Sequence, residues 1–396
     1  MSDALGSLGH QSINHLLSDS PWEHQDVLTD LSIKTSDMLS DTGQEVGLLI
    51  DEVGFRKKGR HSACVGRQYL GCIGKHDNGQ VAVVAGLSSG KYYCPIDVEL
   101  FMPKCWEDDH ARRKKAKIPE SVQHLSKPDM ARAMITSLRK KAVRFDYVAF
   151  DALYGNSFDL LSGLNTENIL FVGDVRDNVK ISLEPITYSL PEKPPHSKGR
   201  KFKHKRVDQN LTSVSQYCRQ LGLEDFKQLH FRDGTKQKIS AYFHQKQVYL
   251  PVGKQQMLHL QLIIRKDLDG TIKYSLTNMK QESLLTIAKR QGQRVFVEKI
   301  FEEGKNQIGM GDYQIRSWAG FHRHMTLCFL AFYYMTYQKI AYQSEIPLTA
   351  PIIRKLVAST IMSRWETLDT TIELCLQHIS HYHRQILMNL KQDCVT

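Results

Sequence analysis

The sequence predicts an α/β protein: an open mixed sheet flanked by helices, interrupted by a β-rich segment, with helical regions at both ends. Three observations carry this reading. Short apolar segments with β-branched residues alternate with helical patterns from Val46 onward, and two of these segments end on an acid. A Pro- and Lys-rich interruption then introduces a run of alternating strands. After it, helical periodicity returns and continues to the C-terminus.

Residues 1–45 read as a helical region. SINHLLSDSPWEHQDVLTDLSIKTSDML places apolar residues at helical spacing and breaks at Ser20-Pro21. Residues 46–177 form the first part of a core in the order β-β-β-α-β-α-β. VGLLIDE, SACVGRQYLGC and GQVAVVAGLSS are its first strands, separated by turn chemistry such as GKHDNG, and Lys91 to Met102 fits a further strand pair. The basic stretch ARRKKAK precedes a helix from Pro128 to about Lys141. DYVAFDALYG is a strand ending in Asp151, followed by a short helix and the buried strand NILFVGDV. Between 178 and 280, PEKPPHSKGRKFKHKR leads into KISAYFH, QVYLPV, LHLQLIIR and IKYSLTN, a β-rich insertion subdomain with a basic loop. A long helix from Glu282 to about Gln307 opens the segment 281–340, which closes the core, and 341–396 is a C-terminal helical region. There is no internal repeat.

The chain of 396 residues is globular in composition, 41% apolar and 24% charged, and its net charge of +11 suits a polyanionic partner, nucleic acid first and a membrane surface second. A merely basic enzyme is the plain alternative. The longest apolar run, MTLCFLAFYYM, is too short to span a bilayer and is preceded by His322, Arg323 and His324. MSDALGSLGH lacks the features of a signal peptide, so a cytosolic protein is expected. The eight cysteines are scattered with no CxxC pair, which argues against a zinc ribbon or a disulfide framework.

Asp51 and Asp151 sit at the carboxyl ends of two strands, where α/β sheets place ligands. The helix from Glu282 offers Glu298, Glu302 and Glu303, and at helical spacing Arg294, Glu298, Phe301, Glu302 and Lys305 share roughly one face. Three carboxylates from three elements suit a hard cation such as Mg²⁺, and two such ions serve phosphodiester chemistry. Each residue also has an ordinary reading. An acid at a strand end is a turn or cap residue, a Glu on a charged helix is a solvated face, and Lys305 pairs with Glu302. Trp318 reads as core, the His322-Arg323-His324 triplet as a helix-face cluster, and His378, His381 and His383 as structural rather than zinc-binding.

Four stretches carry a resemblance to a known family. They are LLIDEVGFRKKGRHSACVGRQYLGCIGKHDNGQVAVV, YVAFDALYG, RVFVEKIFEEGKNQIGMGDYQIRSWAGFHRHMTLCFLA and HLLSDSPWEHQDVL. Together they resemble DDE-type bacterial insertion-sequence transposases with an RNase H-like catalytic core, most like the insertion-sequence family numbered 701. The resemblance covers most of residues 10–340. It implies that Asp51, Asp151 and Glu298 are the catalytic, metal-binding triad for Mg²⁺ or Mn²⁺, with two ions, and leaves Glu302 as the reserve third ligand. Arg294, Glu298 and Lys305 fit the spacing of the family's catalytic helix, whereas Gln291 stands where the family has Tyr. It further implies double-stranded DNA as partner, both transposon terminal inverted repeats and target, bound by a homodimer without a membrane, in the cytoplasm on the nucleoid. Arg56, Lys57 and Lys58 beside Asp51, Arg294 and Lys305 on the catalytic helix, and Lys198, Arg200, Lys201, Lys203, Lys205 and Arg206 in the basic loop are then the DNA contacts. The family usually has a longer N-terminus than this chain. The rival readings are an inactive transposase-derived DNA-binding protein and a metal-dependent nuclease that cuts without joining.

Overall fold

The computed structural model describes residues 10–191, 204–234, 238–253, 255–342 and 348–362. The helical opening is two helices, α1 (His10–Ser18) and α2 (His24–Ser40), separated at Pro21. Strands β1 (Gly47–Arg56), β2 (Gly66–Leu70), β3 (Lys75–Ser89) and β4 (Tyr92–Leu100) follow, then helices α3 (His110–Lys115) and α4 (Lys127–Lys140). Ser126 caps α4 by accepting the Asp129 amide, and Pro128 lies in the first turn, where its missing N–H costs nothing. Strand β5 (Tyr147–Phe150), helices α5 (Ala152–Gly155) and α6 (Phe158–Thr166) and strand β6 (Phe171–Val175) complete the first part of the core.

Five strands lie in the order β4-β3-β1-β5-β6. β3 runs antiparallel to both β1 and β4, while β1, β5 and β6 are mutually parallel. This is the RNase H-like arrangement that the resemblance implied. The parallel strands are covered on both sides, which explains their unbroken apolar sequence. Leu48, Ile50, Val148 and Phe150 join Ile135, Leu138, Leu161 and Leu164 in one core cluster. Their alternate neighbours Leu49, Tyr147 and Ala149 face the opposite way, into a second cluster with Ile287, Ala288 and Val297.

Beyond β6 come short pairs, β7 (Lys180–Ile181) with β10 (Thr212–Ser213) and β8 (Tyr188–Ser189) with β9 (Arg206–Val207), and helix α7 (Val214–Arg219). Four longer strands then extend the main sheet: β11 (Lys227–Asp233), β12 (Lys238–Val252), β13 (Gln256–Asp267) and β14 (Ile272–Thr277). Each is antiparallel to the next, and β14 pairs with β6, so the described chain has one ten-stranded sheet with β11 at one edge. Helices α8 (Leu284–Gln293), α9 (Val295–Glu303), α10 (Trp318–Ala341) and α11 (Ala350–Met362) follow.

Three local expectations change. GKHDNG is not a turn: Lys75 to Gly79 belong to β3 and pair with β2, and the chain reverses at Gly71–Gly74, where Gly74 takes φ +64°. Lys91 to Met102 holds one strand rather than a pair, because β4 lies along the length of β3. The single helix expected from Glu282 is broken at Arg294, and past Glu303 it widens into one π turn, Gly304–Ile308. The break falls where the chain changes packing partner. Gly292 lets α8 close on Phe231 of β11, since a Cβ there would lie 2.8 Å from that ring. Ile300 of α9 seats over Gly86 of β3, where a Cβ would lie 2.5 Å from its methyl.

α10 contains the MTLCFLAFYYM run and buries Met325, Phe329 and Phe332 inside the protein. Among the described residues no helix is long and apolar enough to cross a membrane. The described cysteines 64, 72, 94, 105, 218 and 328 are free thiols.

Candidate active site

The registry of the three parallel strands fixes the site. Ile50 pairs with Phe150, and Phe150 with Gly173, so the next residues of β1, β5 and β6 are Asp51, Asp151 and Asp174, three acids at one level of the sheet. Only β5 stops there. β1 runs on to Arg56 along β3, so Asp51 stands mid-strand and not at the strand end that its sequence suggested. Asp151 caps α5, its Oδ1 accepting the Leu153 amide at 2.9 Å. The cap holds because Gly155 allows α5 to press on β6, where a Cβ would come within 1.9 Å of the Asp174 carbonyl oxygen. The Tyr-Gly that follows Asp151 thus has a structural reason, and the buried Tyr154 fills the space beneath.

Asp51, Glu52 and Asp151 each present a carboxylate oxygen, all within 4.8 Å of one another. Burial, reinforced by Asp151 and Glu52, pushes the Asp51 carboxyl up to about 8 against the opposing Arg294 and the Glu52 amide. Asp151 is raised as well, by burial and then by Glu52. Burial and the same three acids hold the Tyr154 phenol well above its usual range. Glu52 has one oxygen 3.3 Å from the Lys127 ammonium, while its buried Oε2 has no hydrogen-bond partner. Crowded, desolvated carboxylates with an orphaned oxygen are the all-oxygen donor set that a hard divalent cation requires.

Arg294, at the break between α8 and α9, ties the surrounding acids together. Its guanidinium lies 3.2 Å from Asp174, 3.8 Å from Asp51 and 3.4 Å from Glu298. Burial works against its charge, but these carboxylates outweigh burial and hold its pKa above the ordinary value. Glu298 is exposed and one guanidinium away from the Asp51–Glu52–Asp151 group, not within it. Glu302 pairs with Lys299 at 2.7 Å rather than with Lys305. Gln291 sits beside Asp174 and Ser275, and donates to both.

The basic residues around the site divide. Lys305 donates to the Gly54 carbonyl at 3.2 Å, which anchors the π turn on β1, and burial lowers its pKa. Lys57 lies over the Tyr313 ring, 3.4 Å from its centroid, and burial pushes its ammonium down to about 8. Arg56 pairs with Asp77 at 2.9 Å, and Lys58 is exposed. Lys205 and Arg206 are exposed at β9, whereas Lys198, Arg200, Lys201 and Lys203 lie outside the described residues, as do His378, His381 and His383. Trp318 is core, and the HRH triplet bonds to backbone carbonyls of Trp318, Leu17, Trp22 and Gly309.

Sequence reasoning missed Glu52, Lys127 and Asp174 as site residues. For Asp174 the signal was present, since NILFVGDV is a third apolar strand running into an acid. Glu52 follows Asp51 directly, and strand alternation assigns it to the other face, so only the tertiary placement of Asp151 shows that the two can share a ligand. Lys127 carries no local signal.

A protein-family model described as DDE superfamily endonuclease matches residues 1–238. The chain is 25% identical over 313 residues to the probable transposase for insertion sequence element IS701 from Microchaete diplosiphon, with 78% of this chain and 70% of that protein covered. Among solved structures it is similar to the piggyBac transposase in a synaptic complex with hairpin DNA, with a TM-score of 0.34, 13% identity and 84% of this chain covered. The match spans 56% of the length of that chain.

Proposed function

Since this chain belongs to the DDE superfamily of endonucleases, we propose that it is an insertion-sequence transposase that cuts DNA at transposon ends and joins the freed 3′-OH to target DNA. The observation that carries the proposal is the set of acids that three parallel strands deliver to one level, with Asp51, Glu52 and Asp151 within ligand distance and Arg294 beside them.

Asp51 and Asp151 would hold Mg²⁺ or Mn²⁺, Glu298 completing the donor set as the resemblance implies and Glu52 standing next to it. When bound, a pair of such ions supplies Lewis-acid neutralisation of charge on the attacking and leaving oxygens. The chain's own residues bind and orient the DNA. Arg294 holds the acids in place and offers its guanidinium to a non-bridging phosphate oxygen, a contact that positions the backbone without reading sequence. Lys58, Lys205 and Arg206 are exposed, and the flanking duplex would lie against them. In the first reaction water adds to the scissile phosphorus, and the P–O3′ bond breaks to leave a 3′-OH and a 5′-phosphate. In the second, that 3′-OH attacks a target phosphodiester and releases a target 3′-OH, so one bond forms for each that breaks. No covalent protein intermediate is needed; the gain comes from positioning and charge neutralisation. Two ends held together call for at least a dimer on DNA.

The test is cleavage and joining of a labelled transposon-end duplex with Mg²⁺ or Mn²⁺, with wild type beside Asp151→Ala. Cut and joined products that vanish in the variant support the proposal. Cutting without joining would make the protein a nuclease. Binding with neither product under either metal would leave a DNA-binding derivative.

A further inference from the structure

The four antiparallel strands beyond β6 enclose a second feature. A cavity of about 370 Å³ lies between their inner face and the junction of α8 and α9. Cations from separate strands line it: Arg232 of β11, Arg265 of β13 and Lys273 of β14, with Lys238 of β12 exposed at the edge. Arg265 and Lys273 are direct cross-strand partners, and like charges in that relation are destabilising unless something neutralises them. Asp267 answers for Arg265 at 2.8 Å. Among the described residues no acid lies within ion-pair distance of Arg232 or Lys273, and the buried Nε of Arg232 has no hydrogen-bond partner. Burial and the neighbouring Arg265 work against the charge on Arg232, and the more distant Glu298 and Asp267 offset them only in part. Its direction is set by the backbone: the β11–β12 ladder shifts register between His230 and Arg232, a bulge that re-aims the side chains around it.

The cavity reaches two of the acids around the site, Asp174 and Glu298, while Asp51, Glu52 and Asp151 lie beyond it. Asp174, Gln291, Arg294 and Glu298 form its other wall, and on β14 Lys273 and Ser275 share one face that runs to Asp174. We infer that this cavity is a phosphate site, which grips a DNA phosphate next to the one held at Asp51 and Asp151. The inference rests on the proposed function for the identity of the polyanion. Arg232 supplies the guanidinium fork that a phosphate oxygen pair matches, and Lys273 supplies a point charge. A phosphate there would answer Arg232 and Lys273, which no acid among the described residues meets at ion-pair distance. Its source is either an internal phosphodiester or the terminal phosphate that cutting exposes.

The experiment is a fluorescence-anisotropy titration, over a range of KCl, of three labelled duplexes: uncut, pre-cut with a 5′-phosphate, and pre-cut with a 5′-OH. Wild type is compared with Arg232→Ala, Arg232→Lys and Lys273→Ala, each checked for an unchanged melting temperature. Arg232→Ala is expected to bind roughly tenfold more weakly and to lower the salt slope by about one. Arg232→Lys should keep the slope and recover part of the affinity. A loss confined to the 5′-phosphate duplex assigns the site to the terminal phosphate; an equal loss on all three assigns it to an internal phosphodiester. If Arg232→Ala disturbs folding, Arg232→Lys and Lys273→Ala carry the test. Folded variants with wild-type affinity and slope on every duplex overturn the inference, as does a wild type that binds none of them. Cutting is read separately: a wild type that binds with the expected slope but never cuts removes the catalytic proposal and leaves the phosphate site standing.

Discussion

The two sides of the central sheet solve opposite electrostatic problems. On the parallel side, the register of β1, β5 and β6 brings the acid that follows each apolar run into one row, although β1 continues past Asp51 to Arg56. Anionic charge is thereby concentrated and desolvated, as the rise of Asp51 to about 8 records. On the antiparallel side, β11 to β14 present faces rather than ends, and the cations Arg232, Arg265 and Lys273 spread along one face. Arg294 stands at the seam and belongs to both, lining the cavity while it reaches Asp174 and Asp51. Parallel register lines up the acids that follow apolar runs, and antiparallel strands display their sides. One sheet can therefore hold a row of acids and a face of cations close together, with Arg294 as the ion-paired seam between them.

The sharpest way to break this comparison is to remove charge from the acidic row. Asp151→Asn is expected to lower cleavage by at least about a hundredfold, the scale on which a single electrostatic catalytic group acts. The same change should raise the melting temperature in metal-free buffer, because it relieves the crowding around Asp51 and Glu52. Lost activity with lost stability would mean that Asp151 matters through its cap on α5 instead.

Next in size is the choice of third ligand. Glu298→Gln should abolish cleavage as fully as Asp151→Asn, while Glu52→Gln should leave a measurable rate. Parallel assays at several Mg²⁺ concentrations decide it, and the reverse ranking would place the third ligand on β1.

Gly155→Ala addresses the scaffold beneath the acids. A Cβ 1.9 Å from the Asp174 carbonyl oxygen forces α5 off β6, at a cost of about 1–3 kcal/mol in denaturant unfolding. Gly304→Ala, whose Cβ would meet only the flexible end of Met310, is the near-neutral control.

The smallest expected effect is in pH dependence. In metal-free buffer the raised pKa of Asp51 means that the native state holds a proton which the unfolded chain releases near 3.8, so this group's contribution to stability is full below that pH and is lost as pH rises towards about 8. The melting-temperature difference between Asp51→Asn and wild type should therefore grow in the variant's favour across that window. A pH-independent difference would show that Asp51 is not held protonated.

Much of the parallel side was legible because its signals are local. An apolar run ending in Asp is visible within eight or so residues at Asp51 and Asp151, and it was equally visible at Asp174. The antiparallel side hid its chemistry, since Arg232, Arg265 and Lys273 stand on three strands and look like solvated alternation until the register brings them together. The break at Arg294 was also invisible. Gly292 and the β-branched Val295 and Val297 weaken the helix there, but a lone glycine in a helical pattern does not fix a break, and it is the exchange of Phe231 for Gly86 as packing partner that interrupts the helix. GKHDNG misled because turn-forming residues also occur in a strand whose partner holds it extended.

Glu298 rides on a segment of nine residues with a joint at each end, the break at Arg294 and the π turn at Gly304. Its middle is seated by Ile300 in the Gly86 notch, and its far end by the Glu303–Tyr93 bond and the Lys339 ion pair. In mechanical terms α9 is an axle in two bearings. Its seating fixes how far Glu298 stands from the row of acids, a gap that the Arg294 guanidinium spans.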